Sequence, residues 1–505
     1  MIDLARLTGI DRDDGSARGN EKHGVAQAEA EEVFLNQPLL LMLEDLRHRD
    51  QEARVHALGK TLDGHALHTT FKLRGKGTLI RVISAREPLE VRALMKTILA
   101  FIVGGCVLLV ACQTSGEGAA PSAAAHYPVV GTGQGECYGE GGDVIRCPTA
   151  GTFLSGQDAQ HPGRRPSHVD NGDGTVTDRV TGLVWARAPS APMAVSDLDG
   201  FARASRLGGH ADWRVPTIRE LYSLIDYRGG YSGDPRTSRP YLDTSVFDFA
   251  YGAGTGLGDA AHGRRPIDVQ EWSATRYVGR TMGGDETVFG VNFADGRIKG
   301  YPVMDPGNRM QTPNRLAVRL VRGPSYGRND FHPDAETVTD RATGLVWQRR
   351  SVAGALRWAD ALAYCGGLSL GGHRDWRVPN AKELHSIVDY SRIPAIDPLF
   401  GLSDRLVYLW SSTTHLEGPP PATVPNRAFS RTGELAVYAA IGPAMGYMEA
   451  PPGSGRRRWL DVHGAGAVRS DPKTATPGAF PFGFGPQGDD VRGHHHVLCV
   501  RDLAG

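Results

Sequence analysis

Five groups of residues in this 505-residue sequence are of types that could bind or react. The loop Asp170-Asn171-Gly172-Asp173-Gly174 offers the oxygen ligands of a calcium site. Its register is wrong for that use, because Val169 and Val180 occupy the first and last ligand positions, so a hairpin turn is expected. His494-His495-His496 offers imidazoles, but neighbours in a strand face opposite ways, so three cannot meet at one ion. No metal site and no cofactor are therefore expected. Arg264-Arg265 and Arg456-Arg457-Arg458 are loop cations placed to meet sulfated or acidic glycans. Nearer the start, His23, Glu52, Arg54, Arg81 and Arg86 are types that can hold phosphate and move protons, as RNA cleavage requires. The six cysteines are the fifth group. No Ser-His-Asp set and no phosphate loop can be read from the sequence.

Charge and cysteine placement narrow the compartment and the partners. Lys+Arg and Asp+Glu both number 56, so no global field draws the chain to nucleic acid or an anionic membrane. Met95-Lys96 precedes an uncharged, mostly apolar run over residues 97–111, and Leu109-Val110-Ala111-Cys112 ends it with small residues before a cysteine. A membrane span needs about 20 apolar residues, so this shorter run suits a secretory signal, with Cys112 as the lipidated residue. Gln113 follows where Asp would favour inner-membrane retention, so an outer-membrane lipoprotein of the cell envelope is expected. Residues 113–125 read as a small-residue tether. Cys137, Cys147, Cys365 and Cys499 would then lie in an oxidising compartment that favours pairing. Cys137 and Cys147 flank a Gly-rich turn and read as a hairpin closed by a local disulfide.

Residues 1–94 are charged and contain no Trp or Cys. Residues 20–34 are patterned as an amphipathic helix, and residues 56–71 and 77–87 as strands, with a turn at Asp63-Gly64 inside the first. Lys22-His23-Gly24-Val25, Glu52 with Arg54, Leu58-Gly59 and the run from Ile80 to Arg86 resemble the BrnT-type ribonuclease toxins over nearly all of residues 9–90. The resemblance implies a small RNA-cleaving domain with an antitoxin partner. Two features depart from that family: Arg12 stands at an aromatic position, and the closing helix after the Ile80–Arg86 run is missing. The expectation is a truncated, inactive toxin segment fused ahead of the signal, or a start codon placed earlier than Met95.

The elements that must position the remaining residues are legible from repetition. VTDRVTGLVWAR (from Val176) returns as VTDRATGLVWQR (from Val338), and GGHADWRVPTIRELYSLIDY (from Gly208) as GGHRDWRVPNAKELHSIVDY (from Gly371). Two domains follow, 166–323 and 326–503. Each reads as a hairpin carrying a Trp, a helix, the WRVP turn, a second helix and a final strand. Thr217 with Glu220 and Asn380 with Glu383 are capping signals, and Ile218, Leu221, Leu224 and Ile225 give the second helix one apolar face. The tryptophans at 185, 213, 272, 347, 376 and 410 are expected in the core. Aligned repeats set Cys365 opposite Ala202 and Cys499 opposite Leu320, so both cysteines occur together in one repeat and are absent together from the other. That paired pattern predicts a Cys365–Cys499 disulfide.

The motifs DNGDGTVTDRVTGLVW, DWRVPTIREL, VNFADGRIKGYP and DVHGAGAVRSDPK resemble the DUF1566 family, also called the Lcl C-terminal domain after a Legionella collagen-like protein. The helix holding Trp358, Ala361 and Cys365, bonded to the last strand, further resembles C-type-lectin-like domains. The resemblance implies an α+β fold of two tandem lectin-like domains with long, variable loops. The leading expectation is a lipid-anchored envelope protein that contacts glycans or other polyanions through the repeats and binds no nucleic acid there. One alternative is a working ribonuclease in residues 1–94. Another is an envelope enzyme resembling formylglycine-generating enzymes, which depend on a reactive cysteine pair. Since repeat one has no cysteine, the repeats are expected not to be enzymes.

Overall fold

The computed structural model describes five strands within residues 9–86, and residues 127–252, 265–305, 312–402, 404, 406–419, 428–450, 454–485 and 487–503. The chain divides into two compact units, Met1–Ala119 and Ala120–Gly505. In the first unit, β1 (Gly9–Ile10), β2 (Leu41–Glu44), β3 (Val55–Lys60), β4 (Ala66–Arg74) and β5 (Leu79–Arg86) form one sheet in the order β1-β5-β4-β3-β2. The expected strands are present, and the first is divided where Asp63-Gly64 was read as a turn. Thr69 and Phe71 on β4 are fully buried. The helix expected over residues 20–34, the signal-like run 97–111, Cys106, Cys112 and the tether over residues 113–125 lie outside the described residues. Among the described residues, no helix is long and apolar enough to cross a membrane.

The second unit opens with the short hairpin β6 (Cys137–Tyr138) and β7 (Val144–Ile145), closed by the Cys137–Cys147 disulfide. Repeat one follows with β8 (His168–Asp170), β9 (Thr175–Asp178) and β10 (Val184–Ala186), to which its last strand β14 (Val321–Arg322) is added. Between them lie α1 (Leu198–Ala204), α2 (Ile218–Ser223) and the antiparallel run β11 (Gln270–Arg276), β12 (Thr287–Asn292) and β13 (Arg297–Pro302). Repeat two has the same plan. Its strands β15 (Phe331–Pro333), β16 (Thr337–Asp340) and β17 (Leu345–Gln348) receive β23 (Val500–Asp502). Its helices are α3 (Trp358–Gly367) and α4 (Ala381–Ser386). Its second sheet holds β18 (Tyr408–His415), β19 (Leu435–Ala440) and β22 (Val468–Pro472), with a hairpin β20 (Met445–Glu449) and β21 (Arg457–Asp461) inserted before β22. The described fold is thus mostly β with short helices, a shift from the α+β balance expected.

The two repeats share one sheet. β13 pairs antiparallel with β22 at Ile298 and Val468, giving the order β11-β12-β13-β22-β19-β18 about a pseudo-twofold axis. Side-chain alternation sorts the sheet into two faces. Phe289, Val291, Ile298, Val437 and Val468 enter a core common to both repeats, with Trp185, Trp347 and the apolar sides of α2 and α4. On the opposite face, Trp272 and Val288 pack with Trp213, Ala202 and Leu320, while Trp410 and Tyr438 pack with Trp358, Trp376, Cys365 and Cys499.

The repeated motifs are hydrogen-bonding devices. Thr217 accepts from the Glu220 N–H, the Glu220 carboxylate accepts from the Thr217 N–H, and Asn380 and Glu383 do the same, so both capping boxes form. The arginine of each WRVP turn grips the capping glutamate with two bonds, at 2.6 and 2.5 Å from Arg214 and at 2.6 and 2.8 Å from Arg377. Each arginine also pairs by backbone with the last strand, at Val321 and Val500. The GGH turns adopt φ of 58° and 77° in repeat one and 58° and 78° in repeat two, a left-handed conformation that glycine takes without strain. All six tryptophans expected in the core are buried.

Residues 127–165 pack as a strap across both repeats. The Tyr127 N–H donates to Ala342 O, and the Tyr227 N–H to Thr132 O. The Gln134 amide accepts from the Thr414 N–H and donates to Thr414 O. Asp158 is fully buried and accepts from the Thr413 hydroxyl at 2.5 Å.

Candidate functional site

Several residues singled out in the sequence have structural work. Asp170 accepts from the Gly172 N–H and pairs with Arg187, while Asp173 accepts from the Thr175 N–H and hydroxyl, as a hairpin turn requires. His495 is buried among Tyr408, Trp410 and Tyr438 with its Nε2 3.1 Å from Asp471. Cys365 and Cys499 are fully buried and joined, closing a loop between positions 134 apart. That bond leaves neither as the accessible thiol of a reactive pair. Arg264, His23, Glu52 and Arg54 lie outside the described residues. Arg81 and Arg86 stand on β5, in register with Lys72 and His68.

Two surfaces combine several functional types. The first is a cavity of about 210 Å³ where the repeats meet, lined by residues of both. β13 presents Arg297 and Lys299 to it, and β22 presents Arg469 and Asp471. Lys299 and Arg469 occupy equivalent places across the pseudo-axis, opposite Gly290 and Tyr438 respectively. Arg297 pairs with Glu417, donates to the Ser470 hydroxyl at 2.9 Å and lies 3.5 Å from Asp295. Arg469 pairs with Asp489, which His463 Nε2 also meets at 2.7 Å. Lys299 Nζ is 3.7 Å from Asp295. Arg265 reaches the same cavity from a loop and pairs with Asp268 at 2.9 Å. Burial, and then the neighbouring Arg469 guanidinium, push the Lys299 ammonium down to about 8. Burial also pushes the His415 and His463 imidazoles down to about 4, with Arg297 and Arg469 adding to the effect. Burial would raise the Glu417 carboxyl, but the Arg297 charge outweighs it and holds the group down to about 2.

The second surface is the inserted hairpin. Tyr447 on β20 lies across from Trp459 on β21, with ring centroids 5.5 Å apart, and Phe482 lies 5.3 Å from Tyr447. Trp459 is 38% exposed and Phe482 63% exposed, whereas the other seven tryptophans are buried. Arg456, Arg457 and Arg458 are all exposed, but the last two stand on β21 and not in the expected loop, with Glu449 opposite Arg457. The segment after residue 480 holds the hairpin from behind: the Tyr447 N–H donates to Gly488 O, and the Asp490 N–H donates to Met445 O.

The Lcl C-terminal domain family matches residues 174–322 and again 336–442, together just over half of the chain. This chain belongs to the Lcl C-terminal domain family. Residues 13–89 match a second family, the ribonuclease toxin BrnT of type II toxin–antitoxin systems. No curated protein and no solved structure matches the chain. The Lcl matches cover the hairpin–helix–WRVP–helix frame of both repeats and stop at residue 442, just before the inserted hairpin.

The arginine run 456–458 was visible in the sequence as a cation cluster within an Lcl repeat, but its aromatic neighbours were not. Tyr447, Trp459 and Phe482 are brought together only by the hairpin register and the segment behind it. The junction cavity was missed altogether, Arg265 apart. Arg297, Lys299 and Arg469 look like ordinary solvent-facing strand residues until two Lcl repeats are joined edge to edge. The one available signal was that the DGRIKG and GAVRSD segments both place a cation one residue after an apolar strand residue.

Proposed function

We propose that this chain is a lipid-anchored envelope protein, tethered at Cys112 in the outer membrane, whose fused Lcl repeats bind acidic glycans. The observation that carries the reading is the inserted hairpin, where three exposed arginines run into an exposed tryptophan, and an exposed phenylalanine lies against the Tyr447 that faces this tryptophan. Aromatic faces give a sugar ring a flat apolar partner, and guanidinium groups hold sulfate or carboxylate oxygens in bidentate fashion. An exposed aromatic cluster of this kind marks an interaction surface more often than a solvated one. The two disulfides fit an oxidising compartment. The Cys365–Cys499 bond, from a helix to the last strand, supports the lectin-like reading of the repeats. The test is retention of the protein on immobilised heparin and on uncharged dextran. The parent should be held by heparin alone, and Trp459→Ala combined with Arg456, Arg457 and Arg458→Ala should elute at clearly lower salt. Unchanged elution of that variant would end the assignment.

A second reading has its own support in the BrnT match and the five-stranded sheet of the first unit. It makes residues 1–94 an RNA-cleaving segment. Expression of the full chain and of residues 1–94 should then arrest growth with RNA cleavage, and His23→Ala should relieve it. Normal growth with intact RNA counts against it.

A further inference from the structure

The junction cavity has an imbalance that its formal charge conceals. Four cations (Arg265, Arg297, Lys299 and Arg469) face four carboxylates, those of Asp295, Glu417, Asp471 and Asp489. The carboxylates have their donors. Asp489 takes Arg469 and His463. Asp471 takes the backbone N–H groups of Arg492 and Gly493, at 2.8 and 3.1 Å, and lies against His495. Glu417 takes Arg297, and Asp295 accepts from the Arg297 N–H at 3.2 Å. The cations are not fully matched. Arg297 Nε and Arg469 Nη1 are buried and have no hydrogen-bond partner among the described residues. A buried guanidinium donor without an acceptor is costly, so what the cavity lacks is an acceptor.

We propose that the cavity between the two repeats binds a small organic acid, with one carboxylate between Arg297, Lys299 and Arg469 and its ring-sized body against Tyr231, Phe429 and Phe484. One carboxylate is favoured over a phosphate group because four acidic side chains already line the walls. A second negative charge on the ligand would meet them in a poorly solvated site, where like charges repel strongly. The aromatic and proline walls favour a body with carbon surface, such as a single sugar ring, over an inorganic ion. The depressed Lys299 ammonium fits the same picture, since an incoming carboxylate offsets both its burial and its crowding by Arg469. This site does not depend on the hairpin surface, which can fail its heparin test while the cavity still binds.

Calorimetric titration of the full chain with galacturonate, galactose and inorganic phosphate tests the proposal. Galacturonate should bind with one site per chain, and galactose and phosphate should each be weaker by about tenfold or more, the scale of one charge-assisted contact. Binding should weaken as pH rises above about 8, where Lys299 loses its charge. Lys299→Met and Phe429→Ala should each reduce affinity about tenfold. Far-UV circular dichroism separates lost binding from lost folding; if Lys299→Met does not fold, Phe429→Ala and the pH profile decide. Absence of galacturonate binding, equal binding of phosphate, or affinity untouched by the folded variants would overturn the assignment.

Discussion

Repeat one and repeat two solve the same packing problem with different chemistry. In repeat one, Arg319 is fully buried and meets Glu271 at 3.0 Å, donating also to the carbonyls of Ala186, Arg187 and Asp248. The equivalent positions in repeat two are Leu498 and Leu409, both fully buried in the shared core. One position further along the chain from Arg319 and Leu498 the contrast runs the other way. Repeat two bonds Cys365 to Cys499, while Ala202 and Leu320 of repeat one meet only by apolar packing. What stays the same is the polar frame. Trp272 and Trp410 donate to Met193 O and Leu356 O, Trp213 and Trp376 to Leu207 O and Leu370 O. Both capping glutamates carry their bidentate arginine. The lesson is that the backbone path is fixed by a small set of satisfied hydrogen bonds, and core pairs can change type within it.

The ion pair provides the largest test of that comparison. Arg319→Leu leaves Glu271 buried without its cation, and the expected loss of unfolding free energy is about 3–5 kcal/mol. Adding Glu271→Leu, which copies repeat two, should recover most of that loss, because a well-packed apolar pair commonly matches a buried ion pair. Urea unfolding of the single and double variants measures both; a double variant as weak as the single one would refute the equivalence. Next in size is the disulfide. Cys365→Ala with Cys499→Ala should cost about 4 kcal/mol, as expected for a closed loop of over a hundred residues. The converse change, Ala202→Cys with Leu320→Cys, should form a new bond in repeat one, visible as the loss of two hydrogens by mass spectrometry under non-reducing conditions.

The smallest effect concerns the strap. Thr275 and Thr413 are equivalent, and each hydroxyl accepts from the first N–H of the second helix of its repeat, Ile218 of α2 and Ala381 of α4, at 3.0 and 2.9 Å. Thr413 alone of the two is bonded to Asp158 among the described residues. Burial pushes the Asp158 carboxyl up to about 7, with bonds from Thr413 and Thr132 and the charges of Glu383 and Arg377 as smaller influences. A carboxyl raised on folding contributes stability that is complete below its ordinary value near 4 and is lost as pH rises through about 7. The thermal midpoint of the parent should therefore fall between pH 5 and pH 8 more steeply than that of Asp158→Asn. Parallel pH profiles would show that Asp158 is already ionised at pH 5.

Most of the frame was legible in the sequence because its signals are local. Each capping box sits within three residues of the partner that explains it, and the core tryptophans stand out because they recur in both repeats. The Cys365–Cys499 bond was legible only because a second copy without it was available for comparison. The union of β13 with β22 was not, since edge pairing between repeats leaves no pattern within either strand. The strap was read as little more than a tether with a hairpin, because Gln134 and Asp158 are polar residues whose partners lie more than two hundred positions away. The aromatic cluster of the hairpin depended on register across an insertion. Sequence periodicity does not report that register.

The antiparallel seam between β13 and β22 gives the second unit the geometry of a dimer built from a single polypeptide. In a true pair of identical subunits, any substitution at the axis appears twice, and a cation introduced on one side faces its own copy. Covalent fusion lifts that constraint: Lys299 and Arg469 can differ, an arginine can stand at 297 with alanine at the matching place 467, and a hairpin can grow from one half alone. A lopsided cleft is thereby encoded in a symmetric scaffold, and each half can change without obliging the other to follow.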